Sequence, residues 1–136
     1  MTQLTPYLHL PGTAREALQF YGSVFGGEVL LFSYAEFGRT DGPADAIAHG
    51  QLTGGPVPMF ASDVAGEEPA LRSEGLMLAL LGTADPKTLR TWFDRLGDGG
   101  RVVDPLQKRP WGDVDGQVVD RHGLHWLVGF QQDADV

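Results

Sequence analysis

The chain has 136 residues, 42% of them apolar, which is enough for a single core or for two small halves that share one. Its 18 acidic and 10 basic side chains leave a formal net charge of -8, arguing against nucleic acid or an anionic membrane surface as a partner. There is no cysteine, so disulfides and thiolate chemistry are excluded; Met1 to Leu10 lack a basic and apolar leader pattern, and no stretch reaches the roughly 18–20 apolar residues of a membrane span, so a cytoplasmic protein is expected.

Leu4 to Leu10 reads as a short strand closed by Pro11-Gly12. Thr13 and Glu16 have the spacing of a capping box, and Ala14, Ala17, Leu18, Tyr21 and Phe25 follow at helical spacing up to Gly26, a stop residue of the left-handed kind. Glu28 to Ala35 reads as a strand and Gly38 to Asp45 as a polar loop. Ala46 to Thr53 and Val57 to Ser62 form a hairpin around Thr53-Gly54-Gly55-Pro56. Ala65 to Glu74, with its glycine, glutamates and proline, reads as a linker. Beyond it, Leu76 to Leu81 is an apolar strand, and a second helix starts with Asp85 as N-cap and Pro86 in its first turn, burying Leu89, Trp92, Phe93 and Leu96. Arg101 to Asp104, Gln117 to Asp120 and Leu124 to Phe130 supply three further strands, followed by a polar tail.

The punctuation is duplicated. Gly12-Thr13-Ala14 returns as Gly82-Thr83-Ala84, the helical aromatic pair Phe20-Tyr21 as Trp92-Phe93, Gly26-Gly27 as Gly99-Gly100, and His49-Gly50-Gln51-Leu52 as Asp115-Gly116-Gln117-Val118. The chain therefore reads as one domain built from two copies of a strand-helix-three-strand unit, over 4–64 and 75–131, joined by a linker over 65–74. Such a duplication predicts a pseudo-symmetric cup, and a cup predicts a ligand.

Several segments carry a family likeness: Pro6-Tyr7-Leu8, the run Glu16 to Tyr21 ending in Phe25-Gly26-Gly27, Ile47-Ala48-His49, Ser62-Asp63, Gly99-Gly100, Trp111-Gly112, and Asp120-Arg121-His122-Gly123 before Trp126. In their order and spacing, over about Leu4 to Phe130, they resemble the vicinal oxygen chelate superfamily of glyoxalase I, extradiol dioxygenases and bleomycin-resistance proteins, and more narrowly its PhnB-like branch. The resemblance implies an α+β fold of two βαβββ modules, mixed sheets curled around a cavity, and commonly a homodimer. In its metal-dependent members, four side chains from the first and last strands of each module hold the ion. Counting from Gly12, Gly55, Gly82 and Gly123 places those positions at Pro6, Met59, Leu76 and Leu127, none of which offers the imidazole nitrogen or carboxylate oxygen such a site needs. The repeat supports the count, since Pro6 and Leu76 precede their glycines by one interval and Met59 and Leu127 follow theirs by another. A slip of one residue would reverse a strand's faces. No metal and no cofactor are expected.

What remains is an apolar cup. Strand alternation predicts that Pro6, Leu8, Met59, Ala61, Leu76, Leu78 and Leu127 face inward and favour an apolar or aromatic small molecule. Gln51 and its repeat mate Gln117 supply polar selectivity or satisfy sheet-edge groups; Trp111 covers the mouth and stacks on a flat ligand, or packs a dimer interface. His49 is the candidate general base, with a structural hydrogen bond across the sheet as the alternative. His9 is expected on the helix side or at an edge, and His122 and His125 in solvent. Neither a dinucleotide-binding nor a phosphate-binding glycine loop is present, and Ser62 lacks a nucleophile-elbow setting. The methyltransferase label sometimes given to the PhnB-like branch does not suit a chain without parallel βαβ units and a glycine-rich first loop. The leading expectation is thus a metal-free ligand-binding protein. The alternatives are a metal-dependent lyase or oxygenase and a metal-free enzyme using His49.

Overall fold

The structure, a computed structural model, describes residues 3–132. The elements run β1 (Tyr7–Leu10), α1 (Ala14–Phe25), β2 (Glu28–Ser33), β3 (Ile47–Thr53), β4 (Met59–Asp63), β5 (Leu78–Leu81), α2 (Pro86–Gly97), β6 (Arg101–Lys108), β7 (Asp113–Val119) and β8 (His125–Gln131). They divide into two compact units, Met1–Leu71 and Arg72–Val136. Each unit has the order βαβββ and one four-stranded mixed sheet, β1-β4-β3-β2 in the first and β5-β8-β7-β6 in the second. In both, the first strand pairs in parallel with the last and every other neighbour is antiparallel. Both sheets are open, each ending in two edge strands.

Helix placement decides which side of each strand becomes core. In the first unit α1 buries Ala14, Ala17, Leu18, Tyr21, Val24 and Phe25. A Cβ on Gly50 would come within 2.6 Å of Leu18 Cδ1, so the helix lies against the Gly50 side of β3 and a larger residue there would push the Leu18 side chain aside. Strand pairing carries this side across the sheet, from Gly50 to Ala61 and on to Leu8, and from Leu52 to Met59. Leu8, Met59 and Ala61 are consequently core residues, Met59 with no exposed surface at all. This corrects the expectation that they line a cup: β1 and β4 present the opposite alternation. Leu8 and Leu10 go under the helix and leave Tyr7 and His9 on the other side.

The second unit follows the same rule. Leu89, Trp92, Phe93 and Leu96 form the buried stripe of α2. A Cβ on Gly97 would make ordinary contact with Val102 and Val118, which fixes the Val118 side of β7 as the helix side. Val118 pairs with Trp126 and Val114 with Phe130, all buried; Leu78 and Leu80 join them through Trp126 and Val128. Leu78 thus lies on the helix side, again opposite to the expected face, whereas Gln117 and Leu127 pair with each other on the other side.

Two strands are longer than the turn residues suggested. β6 continues through Pro105 to Lys108 as an edge strand with shifted register, and passes so close to β7 that a Cβ on Gly116 would meet Leu106 N at 2.7 Å and Asp104 O at 2.8 Å. β7 begins at Asp113 because its pairing with β8 runs back to Gln131.

The helix starts are held in different ways. Thr13 makes no side-chain capping bond. Instead the buried Asp63 carboxylate, from the end of β4, accepts the Ala14 N–H through Oδ1 at 2.9 Å and the Ile47 N–H through Oδ2 at 2.9 Å. The Tyr34 hydroxyl donates to the Asp63 carbonyl at 2.7 Å. In α2 the cap is local, as expected: Thr88 N–H donates to Asp85 Oδ1 at 2.8 Å, with Pro86 in the first turn.

Asp63→Ala leaves two amides without their acceptor and is expected to lower unfolding free energy by about 2–4 kcal/mol in a denaturant titration, whereas Thr13→Ala should change it by less than about 0.5 kcal/mol. The Thr88 amide holds the Asp85 carboxyl below its ordinary pKa of 3.8. A carboxyl with a depressed folded-state pKa adds stability that is complete above its unfolded pKa and is lost as pH falls through the folded one. Thermal unfolding measured from pH 6 down to pH 2 should therefore show a shallower acid limb for Asp85→Asn than for the wild type.

Candidate functional site

The side of the first sheet turned away from α1 carries an unusual density of rings. Tyr7 on β1 pairs with Phe60 on β4, Phe60 with Gln51 on β3, and Gln51 with Leu30 on β2; Phe32 on β2 pairs with His49. Tyr7 lies 5.6 Å from His49 and 5.9 Å from Phe60 between ring centroids, and His49 lies 5.5 Å from Phe60. Phe32 stacks on His49 at 6.4 Å and on Phe37 at 5.8 Å. His9 meets Tyr7 edge-on at 5.6 Å. Tyr7, Phe32 and Phe37 are 45%, 38% and 55% exposed. This contiguous aromatic surface makes the open side of the first sheet the candidate binding surface.

A polar chain crosses these rings. His49 Nε2 lies 3.2 Å from Gln51 Oε1, and His49 Nδ1 lies 3.0 Å from the Tyr7 hydroxyl. A carbonyl oxygen only accepts, so Nε2 carries an imidazole proton; in the neutral ring Nδ1 is then the bare nitrogen, and the Tyr7 hydroxyl donates to it. Gln51 sets the tautomer of His49, and His49 sets the direction of the Tyr7 O–H. The arrangement can hold a flat molecule by stacking and offer one hydrogen-bonding oxygen at its edge.

The corresponding side of the second sheet differs in chemistry. His125 Nε2 lies 2.9 Å from Gln117 Oε1, so His125 has a specific partner where the sequence suggested a solvated role. Arg109 bridges Asp104 at 2.6 Å and Asp115 at 2.7 Å, and the hydrogen bonds from Asp115 and Asp104 hold its guanidinium pKa above the ordinary arginine value. A cavity of about 490 Å³ is lined by Leu81, Asp113, Asp115, Leu127, Phe130 and Gln131 among others. Its lining combines two aspartates and aliphatic side chains with a single aromatic ring, Phe130.

Of the residues singled out from sequence, the structure brings His49 and Gln51 together on the open side of the first sheet. Leu127 and Gln117 share the open side of the second. Met59 is in the core, Leu76 precedes β5 in an exposed segment, and Trp111 sits 69% exposed between β6 and β7, outside the lining of the cavity. Pro6 precedes β1 and its carbonyl accepts the Phe60 N–H at 2.9 Å. Tyr7, Phe32, Phe37 and Phe60 escaped the sequence reading. The signal was available in Tyr7-Leu8-His9-Leu10, where the two leucines compete for the core more strongly than the tyrosine and histidine between them.

Among the described residues no group of three or more His, Cys, Asp or Glu side chains is placed to hold a metal ion.

Comparison with known proteins agrees with the topology. Protein YjdN of Escherichia coli K12 is 26% identical over 138 aligned positions that cover 92% of each chain. The crystal structure of PA1353 from Pseudomonas aeruginosa superposes with a TM-score of 0.79 at 30% identity, covering 98% of this chain and 100% of the other. A Bacillus cereus PhnB protein, described as a putative 3-demethylubiquinone-9 3-methyltransferase, has the same fold, with a TM-score of 0.76 at 22% identity over 96% of this chain and 98% of that one. The family model for the glyoxalase/bleomycin resistance protein/dioxygenase superfamily matches residues 8–128, and with the two βαβββ units in place the chain belongs to that superfamily.

Proposed function

We propose that this protein is a PhnB-like member of its superfamily that binds a small aromatic or apolar molecule, without a metal ion, on the open side of the first sheet. The observation that carries this reading is the ring cluster in which exposed Tyr7, Phe32 and Phe37 surround half-buried His49 and Phe60, crossed by one hydrogen-bonded chain. Exposed apolar patches of this kind occur at ligand-binding grooves and at protein contacts, and the polar chain across this one suits a small molecule. Gln51 contributes by orienting His49 rather than by lining an apolar wall.

The hydrogen-bonded chain favours a second reading, in which His49 is a general base acting through the Tyr7 hydroxyl. His49→Gln would then keep ligand affinity within about twofold and abolish turnover, while under the binding reading there is no turnover to lose.

Titration of the labelled protein with 2-naphthol, followed by two-dimensional NMR, is expected to shift the signals of Tyr7, Phe32, His49 and Phe60. Phe60→Ala should weaken binding roughly two- to tenfold, the share of one aromatic pair. Shifts confined to other residues would contradict the placement. Elemental analysis after incubation with Zn²⁺, Ni²⁺, Mn²⁺ and Fe²⁺ and desalting should find no metal retained, and near-stoichiometric retention of any of them would overturn the metal-free reading.

A further inference from the structure

Both units carry a glutamine carbonyl that faces an imidazole Nε2, Gln51 with His49 in one and Gln117 with His125 in the other. Only the first extends this pair to a phenol. The repeat interval that carries Gly12 to Gly82 carries Tyr7 to Met77, a residue with no hydroxyl that lies ahead of β5. The tyrosine is therefore an addition specific to the aromatic face, and its chemistry follows from the direction of the chain behind it.

Gln51 Oε1 accepts a hydrogen bond from His49 Nε2–H and the neutral His49 Nδ1 accepts one from the Tyr7 hydroxyl, so the Tyr7 oxygen meets solvent with its lone pairs. Two aligned hydrogen bonds behind it polarise the phenol and strengthen that oxygen as an acceptor. A ligand lying on Phe60 and Phe32 presents its edge to this oxygen. An N–H or O–H on that edge completes the chain; an ether or carbonyl oxygen sets lone pairs against lone pairs. We infer that Tyr7 is a specificity-determining residue that selects aromatic ligands bearing a hydroxyl or N–H donor, with Gln51 and His49 as the positioning residues that fix its polarity. This inference rests on the binding reading above and names the ligand class for the same face.

The probes are 2-naphthol and 2-methoxynaphthalene, which share a ring system and differ in whether the oxygen can donate. The wild type should bind the naphthol roughly two- to tenfold more tightly than the ether, the range of one hydrogen bond. Tyr7→Phe should lose the preference, its affinities for the two probes coming to within about twofold of each other. Gln51→Leu, which frees the His49 tautomer, should reduce the ratio of naphthol to ether affinity. Equal affinity of the wild type for both probes, tighter binding of the ether, or a preference untouched by Tyr7→Phe would overturn the inference and leave the binding reading standing. Failure of the wild type to bind either probe would overturn the binding reading and this inference with it.

Discussion

The first unit depends on one buried carboxylate. Asp63 closes β4 and receives the first amide of α1 and the first amide of β3, while its own backbone carbonyl receives the Tyr34 hydroxyl. A helix start, two strand ends and the loop after β2 thus meet at one residue. Charged acceptors hold backbone amides more strongly than neutral ones do, and a buried amide left without a partner is costly, so the geometry around Asp63 has few alternatives. Because Ala14 is tied to the end of β4, α1 must run over the side of the sheet that carries Gly50, Leu52, Met59 and Ala61. The other side is left to Tyr7, His49, Phe32 and Phe60. The second unit uses a related device in its last hairpin, where buried Asp120 receives the amides of His122 and Leu124 and the indole N–H of Trp126.

Duplication supplied two similar frames that have taken different surfaces. In the first, the side away from the helix is aromatic and its polar groups form one directed chain. In the second, arginine is locked between two aspartates beside an aliphatic and acidic cavity. Both units hold a glutamine–imidazole pair, although the imidazole comes from the same strand as the glutamine in the first unit and from the neighbouring strand in the second. Function on this fold is a property of what each open face carries, not of the frame.

The frame was largely legible in the amino-acid sequence. Helical stripes, glycine stops and the recurring Gly-Thr-Ala and Gly-Gln segments were enough for the βαβββ order of both units, because periodicity and turn chemistry are local properties. The faces of β1 and β4 were not legible by counting from glycines, since an interval to a turn carries no information on which side the helix lies, and an error of one residue exchanges Met59 for Phe60 and Leu8 for Tyr7. The first cap was misread for a similar reason: Thr13 and Glu16 have the right spacing, but the competing acceptor Asp63 is distant in sequence and near only in the fold. His49 and Gln51 were found because they sit two apart on one strand and so share a face. The extension of β6 through Pro105 depends on a close approach to Gly116 that no local pattern announces.

The central claim is that the open side of the first sheet is the ligand surface, and intermolecular nuclear Overhauser effects from bound 2-naphthol test it most directly. The account predicts contacts from the naphthalene protons to the rings of Tyr7, Phe32 and Phe60, with none to Met59 or Leu8 beneath the sheet. Contacts confined to residues of the second unit, such as Leu81 and Leu127, would contradict it and move the site to the acidic cavity.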